Sequence, residues 1–240
     1  MADGAAQGHQ DNRLLAALSP QTLALMSRAL RQVSLAQGTL IYEPAAEMDE
    51  IYFPQTGSIS LLIVTRDGGA IETATVGREG AVGLHVGLGA RRSFTRAIAQ
   101  IGGKFLVIRA ADFAQVVRED AALRDLIARY TETVWAEAQQ IAACNAVHDA
   151  SSRLCRWLLR SADRTGNERL PLTQEFLALT LGVRRTTVTL LAQSLQQKGL
   201  IKYSRGNITI VDRKGLEACA CECYRVIHND NLSRALGVKF

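Results

Sequence analysis

Arg184, Arg185, Thr186 and Thr187 stand in a row, with Thr189 and Gln193 continuing one side at helical spacing. Guanidinium and hydroxyl groups gathered in this way donate to phosphate oxygens and base edges. They become useful for that only if a scaffold holds them clear of the core. The surrounding stretch, Leu172–Ile201, has the pattern of such a scaffold. Pro171 and Thr173 open a short helix over about Thr173–Thr180, with Thr173 as its cap. Gly182 supplies a turn, where a positive φ costs glycine little. A second helix follows over about Arg184–Gln197 and stops at Lys198-Gly199. Val188, Leu191 and Leu195 form one apolar stripe, which Phe176, Leu177 and Leu181 can meet. The polar residues lie on the other face, at the free N-terminal end of the second helix. This helix–turn–helix geometry enters a DNA major groove, although an ordinary helical hairpin has the same outline.

Two further features favour the groove. Residues 202–210, Lys202 to Ile210, alternate around Gly206-Asn207 as a basic hairpin, a wing able to touch phosphates. The charge is also uneven: residues 1–150 hold 13 basic and 16 acidic side chains, and residues 151–240 hold 15 and 7. A basic C-terminal third points to a separate nucleic-acid-binding domain. Thr173, Gln174, Lys202 and Arg205 are the candidates for backbone contacts.

The rest of the 240-residue chain must position this element. The opening residues MADGAAQGHQD are polar and small, and no fixed structure is expected for them. Asn12–Leu18 reads as a short helix, and Ser19-Pro20 starts another. Between Val33 and Ile108, short apolar segments alternate with glycine-containing turns: Thr39–Tyr42, Glu50–Phe53, Ser58–Val64, Ala70–Val76, Phe94–Gln100 and Lys104–Ile108. This spacing predicts a β-sandwich or barrel of about 75 residues. A short helix follows near Ala110–Phe113.

A long helix is expected from about Ala121 to Ala146. Leu123, Ile127, Tyr130, Val134, Glu137, Ile141 and Cys144 step by alternating four and three residues, a heptad seam interrupted by Glu137. At roughly 39 Å the helix outreaches a small sheet, which favours pairing with its copy in a second chain. His148-Asp149-Ala150 reads as a hinge, with Ser151-Ser152 capping the next helix and a last helix over about Arg213–His228. The expected organisation is therefore an α+β protein: a β-roll domain over 12–120, a dimerisation helix over 121–147 and a winged helix–turn–helix over 148–240.

This order of elements resembles the Crp/Fnr family of bacterial transcription regulators over about residues 12–228. The resemblance implies a cyclic-nucleotide-binding-type β-roll as sensor, a homodimer, and double-stranded promoter DNA as partner, with RNA polymerase a further candidate partner. It places Arg185 where the family commonly has a guanine-reading arginine, a contact that can grip O6 and N7 together. Thr186 replaces the founder's acidic residue and Leu190 a basic one, so the base preference should differ. Arg184, Thr187 and Thr189 can reach phosphates or a thymine methyl.

In the sensor, the family's phosphate-binding stretch corresponds to Gly77–Leu84 followed by Arg91-Arg92-Ser93. Gly83 is retained, but Leu84 stands where a ribose-binding glutamate is expected. This argues against cyclic AMP, while Arg91 and Arg92, with Ser93, leave a site for a nucleotide-like or other anionic effector. An effector-independent regulator with a scaffolding β-roll is the alternative reading. The oxygen-sensing members hold an iron–sulfur cluster on N-terminal cysteines, whereas this chain has none before Cys144. A lone histidine, His85, is weak support for haem.

No catalytic constellation is present: His9, His85, His148 and His228 are scattered, and no phosphate-loop motif occurs. An enzyme is not expected. The odd number of cysteines and the lack of a signal or membrane-spanning pattern point to a reduced, cytoplasmic protein. Cys219, Cys221 and Cys223 lie close together on the last helix, with Cys219 and Cys223 on one face at i and i+4, where they could bind a soft metal or oxidise. Zinc needs four ligands, only His228 is near in sequence, and no metal site is expected.

Overall fold

The computed structural model describes residues 8–66, 69–204 and 206–227. The first seven residues and the tail from His228 lie outside them. His9–Asp11, expected to lack fixed structure, form a 3-10 turn. Asn12 follows, fully buried, and does three things at once. Its Oδ1 accepts from the Leu15 amide at 3.1 Å and so caps α1 (Arg13–Ala16). Its Nδ2 donates to the carbonyls of Pro54 and Gly80 at 2.9 and 2.8 Å. Ser19 and Pro20 open α2 (Pro20–Ser27), the Ser19 hydroxyl accepting from the Thr22 amide.

Seven strands follow: β1 (Arg31–Leu35), β2 (Leu40–Tyr42), β3 (Glu50–Pro54), β4 (Ser58–Val64), β5 (Ala70–Val76), β6 (Arg96–Ile101) and β7 (Gly103–Arg109). They form two sheets, ordered β1-β7-β3 and β2-β6-β4-β5. The first strand was not legible, because its five residues alternate too weakly in polarity. It is defined by antiparallel pairing of Arg31–Leu35 with Val107–Gly103. β7 is buried on both faces, which explains its unbroken apolar run. Phe105 and Val107 join Tyr42, Met48, Ile59 and Val76 in one core. Leu106 and Ile108 point the other way, into a second core with Leu15, Met26, Phe53 and Phe113. The last of these lies on α3 (Ala110–Glu119).

The long helix α4 runs Ala121–Val147. Its heptad seam turns inward and is satisfied within the chain. Leu123, Ile127 and Tyr130 are buried in the second core, and Val134 packs against it. Glu137 meets Arg160 and Arg164, and Cys144 meets Cys221. The seam therefore cannot itself be the contact with a second chain. The opposite side carries another row with the same spacing: Ala128, Glu132, Trp135, Gln139, Ala142 and Ala146 are all exposed.

The described residues divide into two compact units, one of 8–61 and 75–136, the other of 62–74 and 137–227 less the undescribed positions. The second unit contains α5 (Ala150–Thr165), capped by Asp149 rather than by Ser151 or Ser152, whose amides donate to the Asp149 carboxylate. Arg153, Arg156, Arg160 and Arg164 on this helix are buried. Part of the basic charge of the C-terminal third is therefore spent inside the unit. Arg153 donates to the Leu181 carbonyl and to Asn145, and Trp157 donates to Glu72 at 2.8 Å. Next come β8 (Arg169–Pro171), α6 (Gln174–Leu181), α7 (Arg185–Gln197), β9 (Ile201–Ser204) and β10 (Asn207–Ile210). The strands form a sheet ordered β8-β10-β9. The expected wing hairpin thus has a third strand, Arg169–Pro171, paired with β10 just before the helix pair. The expected last helix is broken in two, α8 (Arg213–Cys219) and α9 (Cys223–Ile227).

Candidate nucleic-acid interface and effector cavity

The α6–α7 pair is built as its sequence requires. The Thr173 hydroxyl accepts from the Phe176 amide at 3.2 Å and caps α6. Gly182 ends that helix at φ 63°, a left-handed conformation that disfavours any side chain. Val188, Ala192 and Leu195 of α7 are buried, as are Leu177 and Leu181 of α6. Phe176 is only partly covered and packs against Trp157, ring centroids 6.4 Å apart. Burial of that stripe fixes the rotation of α7 and turns its other face to solvent.

On that face Arg184, Arg185, Thr186, Leu190 and Gln193 are exposed, while Thr187 and Thr189 are half-buried. Arg185 Nη1 lies 2.6 Å from Glu175 Oε1. Thr189 Oγ1 is 3.1 Å from Gln174 Oε1, so two of the sequence candidates on different helices are coupled. Lys202 is exposed on β9, and the backbone of its neighbour Tyr203 is tied to α7 through a 2.8 Å bond to Gln196 Oε1. Arg205 lies outside the described residues. The wing and the helix pair are thus one hydrogen-bonded surface, with cations and hydroxyls at the N-terminal end of α7.

The β-roll contains a cavity of about 510 Å³, part of it open to solvent. Tyr42, Met48, Leu61, Val76, Val82 and Leu84 line it, with Tyr130, Thr131 and Val134 of α4 forming another wall. Of the five sequence candidates for effector binding, Gly83, Leu84 and Ser93 line this space. Arg91 and Arg92 do not: both are exposed on the loop before β6. Leu84 is buried, part of the same core as Phe53 and Tyr130. Gly83 holds φ 95° at the start of a 3-10 turn, Leu84–Leu88. A Cβ there would stand 2.9 Å from the Tyr42 hydroxyl oxygen. His85 also lines the cavity, and burial pushes its pKa below the ordinary imidazole value, which keeps the ring neutral. No carboxylate, lysine or arginine lies among the lining residues.

One contact joins this site to the long helix. Gly80 approaches Tyr130 so closely that a Cβ would overlap the phenol, and the Ala81 amide donates to the Tyr130 hydroxyl at 3.3 Å. The glycine-rich stretch therefore meets the cavity wall closely at Tyr130 of α4. Sequence reasoning missed this role, because Tyr130 reads as one more seam residue.

A half-enclosed β-roll cavity walled by a long helix, followed in sequence by a winged helix–turn–helix, is the architecture of a DNA-binding regulator. Residues 32–120 match the cyclic nucleotide-binding domain family and residues 152–219 match the Crp-like helix-turn-helix domain. No curated relative matches the chain in sequence. In fold it is similar to a Crp/Fnr-family transcriptional regulator from Eubacterium rectale (TM-score 0.67, 22% identity, covering 88% of this chain and 98% of that one). It is likewise similar to FixK2 from Bradyrhizobium japonicum (TM-score 0.68, 16% identity, 80% and 98% covered). A third is the c-di-GMP responsive regulator CLP from Xanthomonas campestris (TM-score 0.63, 16% identity, 80% and 99% covered). The chain belongs to the Crp/Fnr family of transcription regulators. It is a regulator rather than an enzyme, and no helix among the described residues is long and apolar enough to cross a membrane.

Proposed function

We propose that this chain acts in the cytoplasm as a homodimer that binds a two-fold-symmetric promoter site, with its β-roll cavity taking an effector that biases the DNA-binding units. The observation that carries DNA reading is the exposed surface of α7, with Arg185 at its first turn and Leu190 exposed further along it. Arg185 reads a guanine edge, Leu190 meets a thymine methyl, and Arg184, Thr187 and Lys202 hold phosphates. Thr173 and Gln174 stand where the helix pair crosses the backbone. Affinity should fall steeply with salt. RNA polymerase is the proposed further partner at the promoter.

Dimerisation is supported by the outer row of α4. Trp135 is 65% exposed, between Ala128 and Ala142 at intervals of one heptad. A large exposed indole flanked by small residues suits close approach of a second helix by the two-fold rule. Sedimentation of Trp135→Glu tests this: a monomer supports the arrangement, whereas an unchanged dimer removes α4 from the interface.

The effector is proposed to be largely apolar or uncharged rather than a cyclic nucleotide. The cavity lining offers hydroxyls and a neutral imidazole but nothing to neutralise a phosphate. An anion buried there without a partner would be heavily penalised. CLP of Xanthomonas campestris is c-di-GMP responsive by its name. The same ligand would here need Arg91 and Arg92, which lie outside the cavity. Because Tyr130, Thr131 and Val134 form part of the wall, an occupant would touch α4 directly and so could favour one arrangement of the helix over another. His148–Ala150 is the proposed hinge. Thermal shift against a panel of cyclic nucleotides and apolar ligands distinguishes these readings. Stabilisation by cyclic AMP alone would overturn the uncharged-effector reading, and no stabilisation by any ligand would favour a scaffolding β-roll.

A further inference from the structure

Cys219 and Cys223, close in sequence, do not share a helix face, because the chain breaks between α8 and α9. Instead Cys221 and Cys223 come together with Cys144 and His148, which stand four residues apart at the C-terminal end of α4. The Cys144 and Cys221 sulfurs are 3.5 Å apart, and Cys223 Sγ is 3.6 Å from His148 Nδ1. The four ligand atoms all lie within 4.8 Å of one another. A tetrahedral zinc with Zn–S bonds of 2.3 Å sets its sulfurs about 3.8 Å apart. The spacing is therefore that of donors converging on one ion.

The surroundings match a metal site as well. His148 turns Nδ1 inward while its Nε2 sits 3.1 Å from Glu222 Oε1. A carboxylate on the far nitrogen orients a metal-bound imidazole and fixes its tautomer. Gln140 Nε2 donates to Cys223 Sγ at 3.1 Å, a bond that favours a thiolate. The three cysteines are buried and His148 is partly so. The site is thus closed, as structural zinc sites are, without an open position for substrate.

We propose that Cys144, His148, Cys221 and Cys223 bind one zinc ion per chain in a tetrahedral Cys3His site. Binding displaces a proton from each thiol to solvent as three Zn–S bonds and one Zn–N bond form. Hard cations are disfavoured by the sulfur donors. An iron–sulfur cluster distributes its ligands over several iron atoms, whereas these four converge on one point. The ion would fasten the α8–α9 connection, at the C-terminal end of the winged helix–turn–helix, to the end of α4 beside the hinge.

The test uses the full chain purified with reductant and without chelator. Elemental analysis should find close to one zinc per chain, and cobalt exchanged into the site should show the intense visible absorption of tetrahedral cobalt thiolate. Cys221→Ser and Cys223→Ser should each weaken metal binding at least tenfold, Glu222→Gln about tenfold, and Cys219→Ser not at all. His148→Cys should retain the metal with a four-sulfur cobalt spectrum, which separates lost ligation from lost folding. Wild-type protein that gives no tetrahedral cobalt spectrum under reducing conditions would overturn the proposal. So would full metal binding by both Cys221→Ser and Cys223→Ser.

Discussion

Glu175 and Arg185 bridge the two helices of the DNA-binding motif, Oε1 to Nη1 at 2.6 Å, with both side chains more than half exposed. An exposed pair of this kind contributes at most about 1 kcal/mol to stability, so its interest lies in what it withholds. The guanidinium that would grip a guanine is held by a carboxylate until DNA competes for it. Glu175→Gln should leave the melting temperature within a few degrees of wild type and tighten DNA binding several-fold. Anisotropy titrations against specific and random duplexes check this. Equal affinity before and after the change would show that the pair does not restrain Arg185.

Leu190 is the one large apolar side chain exposed on the reading face of α7. A thymine methyl is the base-edge group it can cover. Leu190→Ala should cost about 1–2 kcal/mol against the preferred site and erase the preference for thymine over uracil at one position. Uracil-substituted duplexes provide the measurement.

Glu137 is nearly enclosed by Arg160 and Arg164. Burial alone would raise its pKa, but the two guanidinium groups outweigh burial and hold the carboxyl at about 2. A depressed folded pKa adds stability that is fully present above the unfolded value of 4.5 and fades as pH falls towards about 2. Glu137→Gln should cost about 3–5 kcal/mol at neutral pH, because it removes the carboxylate that both buried guanidinium groups meet. Its penalty should shrink between pH 4.5 and pH 2, since the unfolded wild-type chain takes up a proton there that folded Glu137 accepts only near pH 2. Denaturation at pH 7 and pH 3 measures the difference.

Asn12→Ala should destabilise the N-terminal unit by about 2–4 kcal/mol. It strips partners from the carbonyls of Pro54 and Gly80 and removes the cap of α1. Because Gly80 lies against Tyr130, effector response should weaken with it. Chemical denaturation and ligand-induced shifts report the two effects separately.

The parts of the fold that were legible in sequence are those fixed by local chemistry. Ser19-Pro20, Thr173 and Gly182 mark helix ends through their own hydrogen bonds and φ values. Ser58–Val64 and Ala70–Val76 were visible as strands because short apolar runs lie between turns. Features set by distant partners were hidden. Arg31–Leu35 becomes a strand through its pairing with β7, and four arginines of α5 are buried although their type suggests a DNA-facing surface. The heptad seam of α4 was correctly periodic, but periodicity does not reveal which chain covers it. Cys144 and His148 sit at an i, i+4 spacing readable in sequence, yet their partners lie more than seventy residues away. The α7 face was the most legible site, because its stripe and its polar residues are separated by helical geometry alone.

Selection of bound duplexes from random DNA, run in parallel for wild type and Arg185→Ala, tests the central claim most directly. The wild type should enrich a two-fold-symmetric sequence with half-sites about 10 base pairs apart, or a multiple of that spacing. The arginine variant should keep the spacing but lose the preference for guanine at one position in each half-site. Failure of the wild type to enrich any sequence, or an identical motif from both proteins, would contradict the assignment of α7 as the reading helix.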